Sequence, residues 1–180
     1  MLPETASQTA GPYVHIGLLP RQAGFDVFAH NIGTAPLFGG GLVITGRIYD
    51  GAGTPVRDAL LEAWQADAAG AHGHGWARFG TDFETGLWSL HTVKPGAVPG
   101  RTGQGLMAPH INLWIVARGI NTGLATRLYF ADEEAANAAD PVLRAIEPHR
   151  RGTLIAAHTE AGYHLDIRLQ GEGETVFLDI

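Results

Sequence analysis

Histidine is the residue type in this sequence best suited to metal chemistry. The chain holds nine histidines and no cysteine, so a transition-metal site has to use imidazole and oxygen ligands rather than thiolates. His72 and His74 form a His-x-His pair in a glycine-rich stretch, and His110 opens an apolar, alternating segment. Three imidazoles suit Zn²⁺ or Fe²⁺. The pair fits a solvated loop equally well, because this spacing is short and common.

Two charged side chains inside apolar segments are further candidates. Strand alternation places Arg127 on one face with Ala125 and Tyr129. A guanidinium in such a place needs an anionic partner or a route to solvent, so Arg127 fits an ion pair, an edge position or a ligand contact. Glu62 has the chemistry of a general base, but pairing with a neighbouring arginine is the simpler interpretation.

Alternating apolar residues predict the strands that would position these side chains. Leu42, Ile44 and Ile48 alternate with polar or exposed positions, and Ile111 begins a similar series. Strands are predicted at 42–49, 56–65, 86–93, 110–118, 124–130, 163–170 and 175–179.

Loops and short helices are predicted between these strands. The glycine-rich segments 66–82 and 94–109 are predicted to be long loops. Asp132 is predicted to cap one helix, and Pro141 to begin another that ends near Ile146. The strand tryptophans are predicted to lie in the core: Trp64, Trp88 and Trp114.

The size and composition predict one all-β domain. The chain has 180 residues with 25 glycines and 10 prolines, which favours short elements joined by many turns. We predict a β-sandwich with two long functional loops and minor helix. Residues 1–41 have weak periodicity and are predicted to be an extended arm that packs on another surface, and residues 42–180 form the sandwich core.

Charge and hydropathy argue against two functional classes. The formal net charge is −6 and no basic run occurs, which argues against a nucleic-acid surface. The start of the sequence lacks a basic segment followed by an apolar run, and no stretch approaches the roughly 20 apolar residues of a membrane span. We therefore expect a soluble cytoplasmic protein.

Residues 46–70 carry a family resemblance. They read as a strand, a glycine-rich turn, a second strand and then Trp64-Gln65-Ala66-Asp67 entering a loop. This pattern closely resembles the signature of the intradiol ring-cleavage dioxygenases, ferric enzymes that split catechols between their two hydroxyls. The resemblance covers nearly the whole chain, from Thr5 to the closing run 170–177.

The resemblance also places the family's iron ligands on this sequence. In catalytic members two tyrosine phenolates and two imidazoles hold Fe³⁺. The matching positions are His72, Val98, His110 and Asn112, and Met107 falls near the place of an arginine beside the substrate. Val98 has no donor atom, and the tyrosines of this chain lie elsewhere. The resemblance therefore implies a chain with no metal and no catalytic residue of its own.

What the resemblance implies instead is a non-catalytic α subunit. Its partner is a β chain that holds Fe³⁺, and the α chain supplies one wall of the shared cleft. The matching wall residues are Thr9, Gly11, Pro12 and Tyr13, and the matching Arg127 is implied to favour a carboxylated catechol. The implied reaction of the assembly is the O₂-dependent cleavage of protocatechuate to 3-carboxy-cis,cis-muconate.

Other interpretations remain open on the sequence alone. One is a stand-alone mononuclear metalloenzyme that uses His72, His74 and His110. Another is a transthyretin-like binding module without enzymatic activity. For the arm, the alternative is a flexible tail that merely ends in an aromatic residue. Iron content of the chain expressed alone separates the first alternative from the subunit, and co-purification with a β-like chain separates the second.

Overall fold

The fold is built almost wholly of β-strands, as a computed structural model of residues 9–11, 13–25, 36–101, 103 and 105–179 describes it. The all-β prediction is confirmed. The strands are β1 Leu42–Tyr49, β2 Leu60–Gln65, β3 Trp76–Gly80, β4 Leu87–Thr92, β5 Val98–Pro99, β6 Leu106–Met107, β7 His110–Val116, β8 Leu124–Phe130, β9 Ile155–Thr159, β10 Gly162–His164 and β11 Ile167–Arg168.

The helices are short. They are α1 Tyr13–Leu18, α2 Glu134–Ala139 and α3 Pro141–Ala145, with 3₁₀ turns at Leu37–Gly39 and Arg151–Leu154. Across the ranges given above, none of the helices has the length and apolar character that crossing a membrane requires.

The predicted sandwich takes the form of one large sheet whose two halves face each other. In one half, β1 pairs antiparallel with β4 and parallel with β10 and β11. In the other half, β7 lies between β2 and β8, and β3 extends the sheet beyond β2. Strand β9 joins the halves, because it pairs with both β8 and β10.

The core lies between the two halves. Ile48 of β1, Leu113 of β7 and Phe130 of β8 belong to one cluster of buried apolar residues, and each is at most 1% exposed. Burying one such side chain stabilises the fold by roughly 1.5–3 kcal/mol. Because successive side chains of a strand point to opposite faces, the other face of β2, β7 and β8 is left for polar and aromatic residues.

Several predicted boundaries are wrong. Segment 66–82 is not all loop, because β3 occupies its second half. Ala77 alone of this strand is fully buried, so a period-two pattern is almost absent from its sequence. The strand predicted at 56–65 begins at Leu60, since the residues before it turn away after Pro55 bridges Tyr49.

The C-terminal part also differs from the prediction. Segment 175–179 is not a strand, because only scattered backbone bonds hold it, such as that from the Leu178 N–H to the Ala125 carbonyl. Strand β9 has no counterpart among the predicted strands. Trp88 is buried as predicted, whereas Trp64 and Trp114 are 41% and 40% exposed on the outer face of the sheet.

The predicted cap at Asp132 is also wrong. Its carboxylate accepts hydrogen bonds from Lys94 Nζ at 2.8 Å and from the Tyr163 hydroxyl at 2.9 Å instead of capping α2. Helix α3 begins at Pro141 as predicted. Its cap is Asp140, which accepts from the second and third backbone N–H groups of the helix.

A backbone hydrogen bond joins the two long loops. The Asp67 carbonyl accepts a hydrogen bond from the Gly96 N–H at 2.8 Å, which joins loop 66–75 to loop 93–97. Gly70 has a φ of 82°, and a Cβ there would collide with the Ala97 carbonyl oxygen. Only glycine meets both demands, so the loop that carries His72 and the loop that leads into Val98 lie against each other.

Candidate functional site

A row of three side chains crosses the outer face of the sheet. Pairing of β2, β7 and β8 sets Trp64 opposite Asn112, and Asn112 opposite Arg127. The Nε–H of Arg127 donates to Oδ1 of Asn112 at 2.9 Å. Its Nη1 lies 3.4 Å from Sδ of Met107 and 3.3 Å from the Tyr129 hydroxyl. The sequence predicts the shared face of Arg127 and Tyr129 but not these contacts.

A buried carboxylate supports this row from below. Asp140 is fully buried, and its Oδ2 accepts from the Ala108 N–H at 2.8 Å. Its Oδ1 accepts from the Tyr129 hydroxyl at 3.2 Å as well as from the start of α3. Burial raises the pKa of Tyr129 to about 12, so the phenol is neutral and able to donate.

His110 lies beside the row as a neutral imidazole. Burial, together with the charge of Arg127, lowers the pKa of His110 to about 4. Its Nδ1 lies 2.7 Å from the Ala108 carbonyl oxygen, which can only accept, so Nδ1 carries the proton. The ring packs against Tyr129 with 5.7 Å between centroids. This leaves Nε2 as the unprotonated nitrogen.

The remaining predicted ligand positions do not complete a metal site. His72 stacks on Trp64 with 6.4 Å between ring centroids, and Val98 is 2% exposed with no donor atom. The Asn112 oxygen is already bonded to a cation. A ferric ion with two phenolates and two imidazoles therefore does not fit these residues.

The alternative site of His72, His74 and His110 does not form either. Over the stretches of chain that the structure describes, no group of three or more His, Cys, Asp or Glu side chains is placed to hold a metal ion. His74 is exposed in the loop before β3. Glu62 pairs with Arg78 at 2.6 Å, as the simpler interpretation of that carboxylate expects.

The predicted wall residues lie elsewhere, at the opposite end of β7 and β8. The Thr9 Oγ1 accepts a hydrogen bond from the Gly119 N–H at 2.8 Å in the turn after β7. Tyr13 begins α1 and is 81% exposed. Gly11 lines a pocket near this turn, and Pro12 lies outside the described residues.

A pocket of about 340 Å³ lies where the arm meets this turn. His15 of α1 packs its ring edge-on against Phe83 with 5.0 Å between centroids, and burial lowers the pKa of His15. Arg118 forms an ion pair with Asp58, and the Arg118 side chain is 74% exposed. The pocket is lined by Ala10, Gly11, His15, Ile16, Ala23, Phe25, Asp58, Phe83 and Arg118.

The structure thus separates the predicted site residues into two groups. Arg127 lies opposite Asn112, and Arg118 is six residues further along the chain from Asn112. At about 3.3 Å a residue, roughly 20 Å separates the two ends. Arg118, which no sequence pattern singles out, is the arginine that lies with Gly11. Its one signal is its position at the end of a predicted strand.

The sequence is similar to those of known dioxygenase chains. A family model described as dioxygenase matches residues 21–171. The protocatechuate 3,4-dioxygenase alpha chain of Pseudomonas putida is 50% identical, with 99% of this chain and 98% of the relative covered. The alpha chain of Burkholderia cepacia is 40% identical over the same shares, and the beta chain of that organism is 32% identical over 74% of this chain and 66% of the relative.

Solved structures agree on the fold. The dioxygenase domain of a carbohydrate-binding fusion protein from Streptomyces superposes with a TM-score of 0.53 at 27% identity, covering 75% of this chain and 80% of that one. The 3-chlorocatechol 1,2-dioxygenase of Rhodococcus opacus superposes with a TM-score of 0.58 at 24% identity. This chain covers 62% of that enzyme's length, with 75% of its own length matched.

Proposed function

The chain belongs to the dioxygenase family, and from that premise we propose that it is the non-catalytic α subunit of a protocatechuate 3,4-dioxygenase. The proposed partner is a β chain of the same family, which holds the Fe³⁺. The assembly cleaves protocatechuate with O₂ between its two hydroxyls and gives 3-carboxy-cis,cis-muconate. The iron supplies the redox chemistry in the partner, and this chain supplies surface.

One observation carries the proposal. The family's sheet is intact, yet two of the four ligand positions have lost their function within it. Val98 is buried without a donor atom, and Asn112 is bonded to Arg127. A stand-alone enzyme would not keep the scaffold and lose these two positions. A chain whose role is structural and cleft-forming has no need of them.

The arm provides the surface that such a subunit needs. Phe25 and Ile16 of the arm line the pocket together with Phe83 from the turn after β3, and they are 48%, 39% and 43% exposed. Tyr13 at the start of α1 is 81% exposed. Aromatic residues gathered in one exposed apolar patch are typical of a protein–protein interface. We propose that the β chain covers this patch, and that stable association buries on the order of 2,000 Å².

Each wall residue has a specific part to play in the proposed cleft. The Thr9 oxygen already accepts from Gly119, so its hydroxyl proton is free to donate to an acceptor from the partner or the substrate. Gly11 allows close backbone approach. Tyr13 offers an apolar ring with a polar tip, which both excludes water and orients a ligand.

Two arginines compete for the role of the substrate-side cation. The prediction that Arg127 reaches the cavity stays a prediction, and its guanidinium is bonded within its own chain. We propose Arg118 for this role, because it lies with Gly11 and its side chain is largely exposed. Its Nε donates to Asp58, and its other N–H donors have no partner among the residues that the structure describes, so they are available for a carboxylate.

The proposal is tested by making the chain alone and together with a β-like chain. We expect no stoichiometric iron in the chain alone, and a ferric-tyrosinate colour with ring-cleaving activity only in the complex. Stoichiometric iron in the isolated chain that disappears in a His110→Ala variant would contradict the proposal. A chain that ignores the β chain in co-purification would instead be a binding module. The cytoplasmic location stays a prediction that cell fractionation tests.

A further inference from the structure

Arg127 takes up the acceptor that a metal ion would need. Asn112 and His110 lie two residues apart on one face of β7, so their side chains point the same way. Trp64, on which His72 stacks, lies directly opposite Asn112. The guanidinium of Arg127 reaches into this group and binds the Asn112 oxygen at 2.9 Å.

The neighbours of Arg127 fix its position without cancelling its charge. The hydrogen-bond partners that the structure gives it are an amide oxygen, a thioether and a phenol, none of which is an anion. The Asp140 carboxylate lies one hydrogen bond further away, on the Tyr129 hydroxyl, so it offsets the charge of Arg127 without pairing with it directly. A half-buried cation without a direct carboxylate opposes a second cation close by, because the partly dry surroundings screen charges weakly.

The strand that carries Val98 is also connected to Arg127. Val98 pairs with Met107 in the short ladder of β5 and β6, and Met107 contacts Arg127 through its sulfur. A donor placed at Asn112 would therefore meet the guanidinium before it met a metal ion, and Val98 is linked to the same guanidinium through its strand partner Met107.

The residues at the four ligand positions, His72, Val98, His110 and Asn112, form what we call the degenerate site. We propose that the always-charged guanidinium of Arg127 prevents metal ions from binding there. On this view the absence of metal is enforced by an added positive charge as well as by missing ligands. The inference rests on the proposed non-catalytic role. It goes further, because it predicts that restoring a ligand is not sufficient to restore metal binding.

The test uses the full-length chain and Zn²⁺, which three imidazoles bind well. Asn112→His adds a third imidazole beside His72 and His110. We compare that variant with Asn112→His/Arg127→Gln, and with Asn112→His/Arg118→Gln as the matched control that removes an arginine at the far end. Zn²⁺ affinity is measured by titration calorimetry, and Co²⁺ spectra report tetrahedral coordination.

We expect removal of Arg127 to tighten Zn²⁺ binding by about ten- to a hundredfold, while removal of Arg118 changes it little. Equal affinity with and without Arg127, or no binding by either folded variant, would overturn the inference. If the glutamine variant does not fold, Arg127→Met and Arg127→Lys replace it. The charged lysine should keep the site closed and the neutral methionine should open it.

The outcomes distinguish this inference from the proposed function. Stoichiometric iron in the unmodified chain would defeat the proposed function itself. An unmodified chain free of metal, combined with equal Zn²⁺ affinities in the paired variants, would defeat only the role given to Arg127.

Discussion

Thr9 is joined to Gly119 by a hydrogen bond of 2.8 Å from the backbone N–H to the side-chain oxygen, across 110 positions of sequence. This bond holds the arm at Thr9 against the turn between β7 and β8. The same turn carries Arg118. The arm and the proposed substrate-side cation are therefore positioned by one another, and a change at Thr9 should be felt at the cleft.

Replacing Thr9 with valine tests this coupling. Thr9→Val keeps the side-chain shape but leaves the Gly119 N–H without its acceptor, which costs roughly 1–3 kcal/mol where the site is covered. In the assembled enzyme we expect a higher KM for protocatechuate with little change in the ferric-tyrosinate spectrum. Thr153→Val, which removes a hydroxyl bonded far from the arm, is the control and should leave KM unchanged. An unaltered KM in both variants would remove Thr9 from the wall.

Charge selectivity separates the two arginines. Arg118→Ala should weaken the use of protocatechuate more than that of plain catechol, because only protocatechuate has a carboxylate that the Arg118 guanidinium can bind. A charge-assisted hydrogen bond of about 1.5–3 kcal/mol corresponds to about ten- to a hundredfold in kcat/KM. Arg127→Ala is the matched variant. If it, rather than Arg118→Ala, shows the selective loss, the prediction made from sequence holds and the geometric choice fails.

The sequence was sufficient for the regular strands of the fold. β1, β7 and β8 are half-buried and long, so their alternating apolar residues appear directly in the sequence. β3 and β9 each bury only one side chain fully, so they lack the alternating apolar pattern by which a strand is predicted from sequence. Their existence depends on neighbours supplied by the rest of the sheet.

The candidate site shows the same division. That His110 and Asn112 share a face follows from their spacing, and the loss of the donor at Val98 is visible in its residue type. The contacts of Arg118 and Asp140 are between residues far apart in sequence. No local pattern encodes such contacts, so a turn arginine and a helix-capping aspartate give no sign of them.

Lys94 should stabilise the loop that leads to Val98. Its Nζ lies 2.8 Å from Asp132 and 2.7 Å from Glu133, and it packs over the Phe130 and Tyr163 rings. Lys94→Met should lower the free energy of unfolding by about 1–2 kcal/mol near pH 7. Urea denaturation measures this, with Arg150→Met, which removes a longer and more exposed ion pair, as a control that changes little.

The pH dependence of that loss follows from both partners. Although burial opposes its charge, hydrogen bonds to Asp132 and Glu133 raise the pKa of Lys94, so its contribution persists through neutral pH and is lost only in strong alkali. The hydrogen bond from Lys94 lowers the pKa of Asp132 below its ordinary 3.8, so that part is present above pH 3.8 and lost below it. The difference between wild type and Lys94→Met should shrink on acidification. A difference that is constant from pH 7 to pH 3 would assign the loss to packing alone.

Asp140 should matter most for stability among the residues around the degenerate site. Its carboxylate caps α3 and accepts from both the Ala108 N–H and the Tyr129 hydroxyl while fully buried. Asp140→Asn has one oxygen and one amide nitrogen, so it keeps the cap but cannot accept from Ala108. The loss of an acceptor for a buried donor costs about 1–3 kcal/mol, and Asp140→Ala, which also removes the cap, should add about 1 kcal/mol.

Thermal unfolding ranks the stability of these variants. Zn²⁺ binding is measured as well, because Asp140 also supports the contact between Tyr129 and Arg127. When the side chain of residue 140 no longer accepts from Tyr129, the hydroxyl donates to water instead and the guanidinium loses a fixed neighbour. We therefore expect Asp140→Ala to weaken the effect of Arg127 in the Zn²⁺ comparison as well as to lower Tm, whereas Asp140→Asn, which keeps the oxygen that accepts from Tyr129, should lower Tm alone. Tyr129→Phe should reproduce the change in Zn²⁺ binding while keeping the α3 cap and most of the stability. A Tyr129→Phe protein with an unchanged Arg127 effect would show that Asn112 alone holds the guanidinium in place.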